Sequence, residues 1–386
     1  MHSRVAVIAL SCLLSLPAVS RERSPSREDL QWLNRVTYGI NSQTLAVYQS
    51  DGRSKFMRRL FAESQPALPM PVQQQLQALD LVTLDPAHVL ADLNAENQRI
   101  NALPEGDEKV AARKALNDRG NSFAYQARKR DLLRAIYSPA QLQEQLVWFW
   151  LNHFSVFEYK ANVRWLLPSY EEDAVRPHVF GRFRDLVLAT LEHPAMLQYL
   201  DNAQNAMGHV NENYARELLE LHTLGVNAGY TQEDVQELAR ILTGVGINAS
   251  GNEPKLKPEW KPLYRRAGAF EFNPARHDFG TKTLLGKPMA PGGLDEVERA
   301  VDLIVSQPGC ARFVSTKLAK YFVAEEPSPR LIDEMSKVFQ RSHGDIRRVL
   351  ETMFDSREFR ASLGQRFKDP MHFVTAAMRL AYDDKI

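Results

Sequence analysis

The chain is poor in cysteine: Cys12 and Cys310 are the only two in 386 residues. They cannot build a disulfide framework or a thiolate zinc site. Neither sign of charge is in excess, since 48 basic residues face 47 acidic ones. No bulk field gathers nucleic acid or an anionic membrane, and no nucleic-acid partner is expected. Beyond the first twenty positions no apolar run approaches the roughly 18 residues that a membrane helix needs, so the mature chain should carry no transmembrane segment. Several chemistry-bearing motifs are also missing. There is no G-x-x-x-x-G-K-[ST], no G-x-S-x-G, no H-E-x-x-H, no di-iron E-x-x-H and no C-x-x-C-H. Neither a nucleotide nor a haem is therefore expected as cofactor.

What is there reads first as an export signal. Arg4 precedes an apolar run from Val5 to Leu16, and Ala18-Val19-Ser20 supplies small residues at a cleavage site. Residues 1–20 are expected to be removed and the protein to be periplasmic or secreted. Cys12 follows Ala9-Leu10-Ser11, a poor lipoprotein box, so no lipid anchor is expected. Cys310 is then the one thiol left, and QPGCARFV places it on an apolar helix as a small buried hydrophobe.

A hydrophobic fraction of 44% and a charged fraction of 25% are ordinary globular values. Helical periodicity dominates the rest of the chain. Ser26 caps a helix carrying Leu30, Leu33 and Val36, and Asp85-Pro86 starts another. A break at 103–107 precedes a charged helix running to Tyr137. Ser138-Pro139-Ala140-Gln141 reads as a capping box, and Thr231 to Asp234 caps a helix through Leu242. Residues 244–292, rich in Gly and Pro, lack that period. There Phe270-Glu271-Phe272 and Lys282-Thr283-Leu284-Leu285 are expected to pair as a small hairpin. The fold expected is mainly α: one large, multi-helix, bundle-like domain over 21–386 with the hairpin in an inserted irregular region.

Two helices each set a histidine among apolar residues. At about 100° per residue, segment 211–224 puts Glu212, Asn213, Arg216, Glu217, Glu220 and Thr223 on one arc. Tyr214, Ala215, Leu218, Leu219 and His222 take the other. In the aromatic segment QLQEQLVWFWLNHFSVF, Glu144, Trp148, Asn152 and Ser155 form the polar stripe, and His153 sits in the apolar arc. His277-Asp278 in the irregular region is a third contributor. Glu192-His193-Pro194 marks a boundary between two helices.

These segments together resemble a bacterial family, domain of unknown function 1800. The resemblance rests on Leu33 to Gly39, Trp150 to Phe154, His193 to Leu197 with Tyr199 to Asn202, and above all Asn211 to Gly225. Gly229-Tyr230-Thr231, Leu242-Thr243-Gly244, His277-Asp278, Lys282, Leu285-Gly286, Asp369-Pro370 and Phe373-Val374 follow in order. It implies an exported helical protein and carries no established reaction. It also implies a region beyond the Asp-Pro segment with a Gly-Trp-Pro element, whereas this chain stops at Ile386, so a truncated C-terminus is expected.

The leading functional expectation is a periplasmic hydrolase with a polar site between the central helices. Its residues would be Asn152 and His153 from one helix, Arg216, Glu217, Glu220 and His222 from the other, and His277 and Asp278 from the irregular region. A histidine would act as general base or as ligand to a divalent metal, with His153, His222 and His277 as the candidate ligands. Arg216 would hold an anionic group. Glu220 and His222 point about 200° apart on one helix, so a small site takes one or the other. The alternative is a non-catalytic binding or scaffolding protein of the envelope, its histidines structural and its partner an envelope protein or polymer.

Overall fold

The computed structural model describes residues 24–62, 67–80, 85–383 and 385–386; the expected signal segment, 1–20, lies outside them. Ser26 opens α1 (Arg27–Val36) with a capping box closed by Asp29. Then come α2 (Ser42–Leu60), α3 (Met70–Gln77), α4 (Pro86–Ala102) with Asp85 as its cap, and the long α5 (Asp107–Tyr137). The aromatic α6 (Gln141–His153) follows. α7 (Val163–Ser169) runs into a π-helical turn, Tyr170–Val175. His193 ends α8 (Phe183–Glu192) and starts α9 (Pro194–Tyr199), its Nδ1 accepting from the amide of Ala195 at 3.1 Å.

α10 (Asn213–Glu217) also passes into a π-helical turn, Leu218–Thr223, and Gly225 ends it at φ 85°. Only a residue tolerant of that left-handed conformation closes a helix this way. Thr231 and Asp234 form the expected capping box on α11 (Gln232–Ile241). After the strands come α12 (Leu294–Val305), α13 (Pro308–Phe322), α14 (Pro329–Arg341), α15 (Ile346–Asp355), α16 (Arg357–Ala361) and α17 (Pro370–Tyr382). A single hydrophobic cluster runs from Trp32 to Leu363, with Trp150, Phe154, Phe183 and His222's neighbours Tyr214 and Leu219 inside it. The fold is mainly α, and no helix among the described residues is long and apolar enough to cross a membrane.

Three local expectations need correction. The irregular region does hold small sheets, but its strands pair differently. β3 (Phe270–Phe272) lies between β1 (Val245–Ile247) and β2 (Arg265–Ala267), while β4 (Lys282–Leu284) folds back on β5 (Lys287–Met289). Leu285 at φ 49° and Gly286 at φ 71° make a two-residue turn that closes the second hairpin locally. Ser138 caps nothing as a box: its Oγ accepts from the Ala140 amide at 3.1 Å, and α6 starts after Ala140 without a side-chain cap. Thr223, placed on the polar arc, is buried. The wider π turn rotates it inward, where its hydroxyl donates to the Leu218 carbonyl five residues back.

Candidate functional site

α6 and α13 pack as antiparallel neighbours, with His153 late in α6 against Lys317 of α13, and Gln145 early in α6 against Tyr321, one turn further along α13. His153 and His222 come together as expected, ring centroids 6.3 Å apart, both buried. His153 Nε2 lies 2.8 Å from the His222 carbonyl and must donate to it. Its Nδ1 therefore accepts, and Lys317 Nζ stands 3.2 Å away to donate. Burial pushes the pKa of His153 well down, and the nearby Lys317 charge adds to the effect. Burial brings His222 down to about 3. Both rings are neutral fixtures of an aromatic interior, touching Phe154, with Phe183 also against His153.

The remaining predicted residues fall elsewhere. His277 and Lys282 close on Glu296 of α12: His277 Nε2 is 3.1 Å from Oε2, and Lys282 Nζ donates to both carboxylate oxygens at 3.0 Å. The side chains of all three are fully buried. His277 Nδ1 bonds the Thr243 carbonyl at 2.7 Å. Asp278 turns away to Arg240 Nε at 2.8 Å, and that hydrogen bond holds its carboxyl below the usual range. Arg216 spans Glu212 at 3.1 Å and Glu220 at 3.6 Å, with Glu217 beside them; burial and the Glu220 charge raise the pKa of Glu217. Asn152 is exposed and donates to the Trp148 carbonyl of its own helix. Among the described residues no group of three or more His, Cys, Asp or Glu is placed to hold a metal ion.

A polar cavity of about 290 Å³ opens at the other end of the α6–α13 contact. α1 contributes Asn34 and Arg35, α6 Gln145, and α13 Tyr321; the 364–372 segment adds Arg366, Lys368, Asp369 and His372. Asp369 is the N-cap of α17, its Oδ1 accepting from the His372 amide at 3.0 Å. The other oxygen, Oδ2, lies 2.7 Å from His372 Nδ1. On the far side of the ring, Nε2 faces Tyr321 Oη at 3.2 Å. The carboxylate fixes the Nδ1–H tautomer, so Nε2 is an acceptor, and the one phenol proton is shared between it and the Gln145 carbonyl at 3.3 Å. Burial alone would raise the Asp369 pKa, but the His372 bonds outweigh it and bring it to about 2. Burial, with Asp369 nearby, pushes the Tyr321 phenol well up, so it stays protonated.

None of these three is among the residues expected from the sequence at the site. The expected site uses the His153 end of α6, whereas the cavity uses Gln145, two turns earlier. The local signal was Asp369-Pro370-Met371-His372: an aspartate cap, proline at the first helical position, and a histidine at the third, where its ring returns to the cap. Tyr321 lies 51 residues from His372, and nothing local joins them. Neither curated proteins nor solved structures yield a match. The profile of the family described as "Protein of unknown function (DUF1800)" matches residues 31–385, nearly the whole chain, and the protein belongs to that family.

Proposed function

We propose that the protein is an exported hydrolase working by acid–base chemistry in the 290 Å³ cavity. The observation that carries this reading is the continuous row Asp369–His372–Tyr321 on the cavity wall. It has the arrangement of an orienting carboxylate, a base and a hydroxyl within proton-transfer reach. Water adds at an acyl carbon and gives a proton to Tyr321 Oη as the phenol hands its own to His372 Nε2. The reverse transfer delivers a proton to the leaving oxygen as the acyl–oxygen bond breaks. The products are an acid and an alcohol. Asp369 stabilises the imidazolium that forms between the two transfers. His153 and His222, in this reading, fix the α6–α13 contact behind the cavity.

The test is turnover of a panel of p-nitrophenyl esters by the mature protein. Tyr321→Phe and His372→Gln should each lower kcat/KM by about 10²- to 10⁴-fold while melting temperature stays within a few degrees. Absence of turnover across the panel, or variants as active as the parent, would remove the hydrolase reading. Export rests on residues 1–20 and is checked by N-terminal sequencing of the chain recovered outside the cytoplasm, which should begin at Arg21.

A second reading, a non-catalytic envelope binding protein, is favoured by the partners of the other histidines. His153, His193 and His277 each spend a ring nitrogen on backbone deep in the interior. That use of histidine is structural.

A further inference from the structure

The cavity's charge is unbalanced. Arg35, Arg366 and Lys368 line it, and among the described residues none of them has a carboxylate within ion-pair distance. Arg35 spends its terminal nitrogens on the Phe322 carbonyl at 2.6 Å, the Ser362 carbonyl at 3.1 Å and the Ser362 hydroxyl at 3.3 Å. Lys368 uses one of its three protons on Asn34 Oδ1 at 3.3 Å, and Arg366 uses one nitrogen on the Lys320 carbonyl. Against these three cations the cavity lining sets one carboxylate, Asp369, with both oxygens already held by His372; Glu325, outside the lining, also acts on Arg366. The cations also strain one another. Burial and the Arg366 charge bring Arg35 down to about 10; burial and Arg35 lower Lys368.

An independent observation comes from Gln145 of α6. Gln145 is buried, at 1% exposure, yet its amide nitrogen has no hydrogen-bond partner. A buried amide donor left unpaired forfeits its hydration without replacement, and native interiors rarely keep one. Its residue lines the cavity, so a turn of the side chain toward a ligand acceptor there would satisfy the nitrogen, which is itself covered.

We infer that the cavity takes a small ligand bearing an oxyanion, a carboxylate or phosphate group, held by Arg35, Arg366, Lys368 and the Gln145 amide. This rests on the hydrolase reading for its place in a reaction and names that site's substrate class; binding itself needs no turnover. An oxyanion neutralises the excess positive charge and supplies the acceptor that Gln145 lacks. Charge-assisted hydrogen bonds of this kind are the stronger class. The volume suits a small molecule and excludes a polymer chain from full enclosure.

Calorimetric titration of the mature protein with inorganic phosphate, acetate and succinate tests the inference, with chloride as control. Saturable binding of phosphate alone assigns a phosphoryl ligand, and of the carboxylates alone a carboxylate ligand; both together assign the shared oxyanion chemistry. Lys368→Met and Gln145→Leu should each weaken binding about tenfold, and Gln145→Glu, which sets a carboxylate among the cations, should abolish it. Lys368 is partly exposed, so its variant reports even if a Gln145 change unfolds the chain. No saturable binding of any of these anions, or Lys368→Met binding as the parent does, overturns the inference. If the anions bind and no ester turns over, the hydrolase reading fails and the oxyanion site stands.

Discussion

His222 and His193 show what a buried ring does to stability. Burial lowers both from the ordinary 6.5 to about 3, so each is neutral in the fold and protonated in the unfolded chain between those values. A base whose folded pKa is depressed leaves stability intact above the unfolded value and loses it as pH falls below that value. Each ring therefore removes up to about 1.4 kcal/mol per pH unit below about pH 6.5. Denaturant unfolding between pH 7 and 5 should show the loss, and His222→Gln should flatten the slope by about 1 kcal/mol per unit. A slope unchanged in that variant would mean that His222 titrates freely. The burial of His153 and His222 was legible, because both sit in apolar arcs of long periodic segments. The partner of His153 was not: Lys317 stands 164 residues away, and helical spacing says nothing of which helix packs against which.

At the scale of elements, the two π-helical turns explain where pattern reading fails. Leu224 donates to the Leu219 carbonyl, five residues back, so the 100° wheel drifts through 218–223 and turns Thr223 inward. The three-residue strands failed for another reason. So short a run carries too little alternation to choose a partner, and the tight Leu285-Gly286 turn decided the pairing. The other π turn, Tyr170–Val175, aims Glu171 into a cluster of arginines from α5 and beyond. Arg130 Nη2 lies 2.8 Å from Glu171 and Arg176 Nη2 2.6 Å, while Glu144 of α6 holds Arg176 at 3.0 Å. Burial alone would raise Glu171, but the bond from Asp131 and the arginine charges outweigh it and keep it ionised. Burial and the neighbouring Glu171 charge push the Asp131 carboxyl well up. Removing one member strands buried charge, so Glu171→Ala should cost about 3–5 kcal/mol in denaturant unfolding. A loss below about 1 kcal/mol would show that water reaches the cluster.

Over the whole molecule, the candidate cavity exists only because the two ends of the described chain meet. Arg35 of α1 reaches the end of α13, 287 residues on, and α17 brings Asp369 and His372 to the same place. What fastens α17 is Arg379, nearly fully buried, which donates to the Gly39 carbonyl at 2.8 Å, Thr44 Oγ1 at 2.8 Å, Asn41 Oδ1 at 3.2 Å and the Ile136 carbonyl. The fit is close: a Cβ on Gly39 would stand 2.8 Å from the Ala376 backbone, so glycine is required for the helix to lie down. Much of the outer face of α17 is left in solvent, with Phe373, Leu380 and Tyr382 exposed, so this one anchored side carries the docking. Gly39→Ala should lift α17, and Arg379→Met should lose about 2–4 kcal/mol of hydrogen bonding to a charged group. Hydrogen exchange should then speed up along 370–382 in both variants, and ester turnover and phosphate binding should fall together, since His372 and Lys368 move with the helix. Faster exchange with undiminished phosphate binding would instead place the anion on α1 and α6 alone, and would detach the Asp369–His372–Tyr321 row from the ligand.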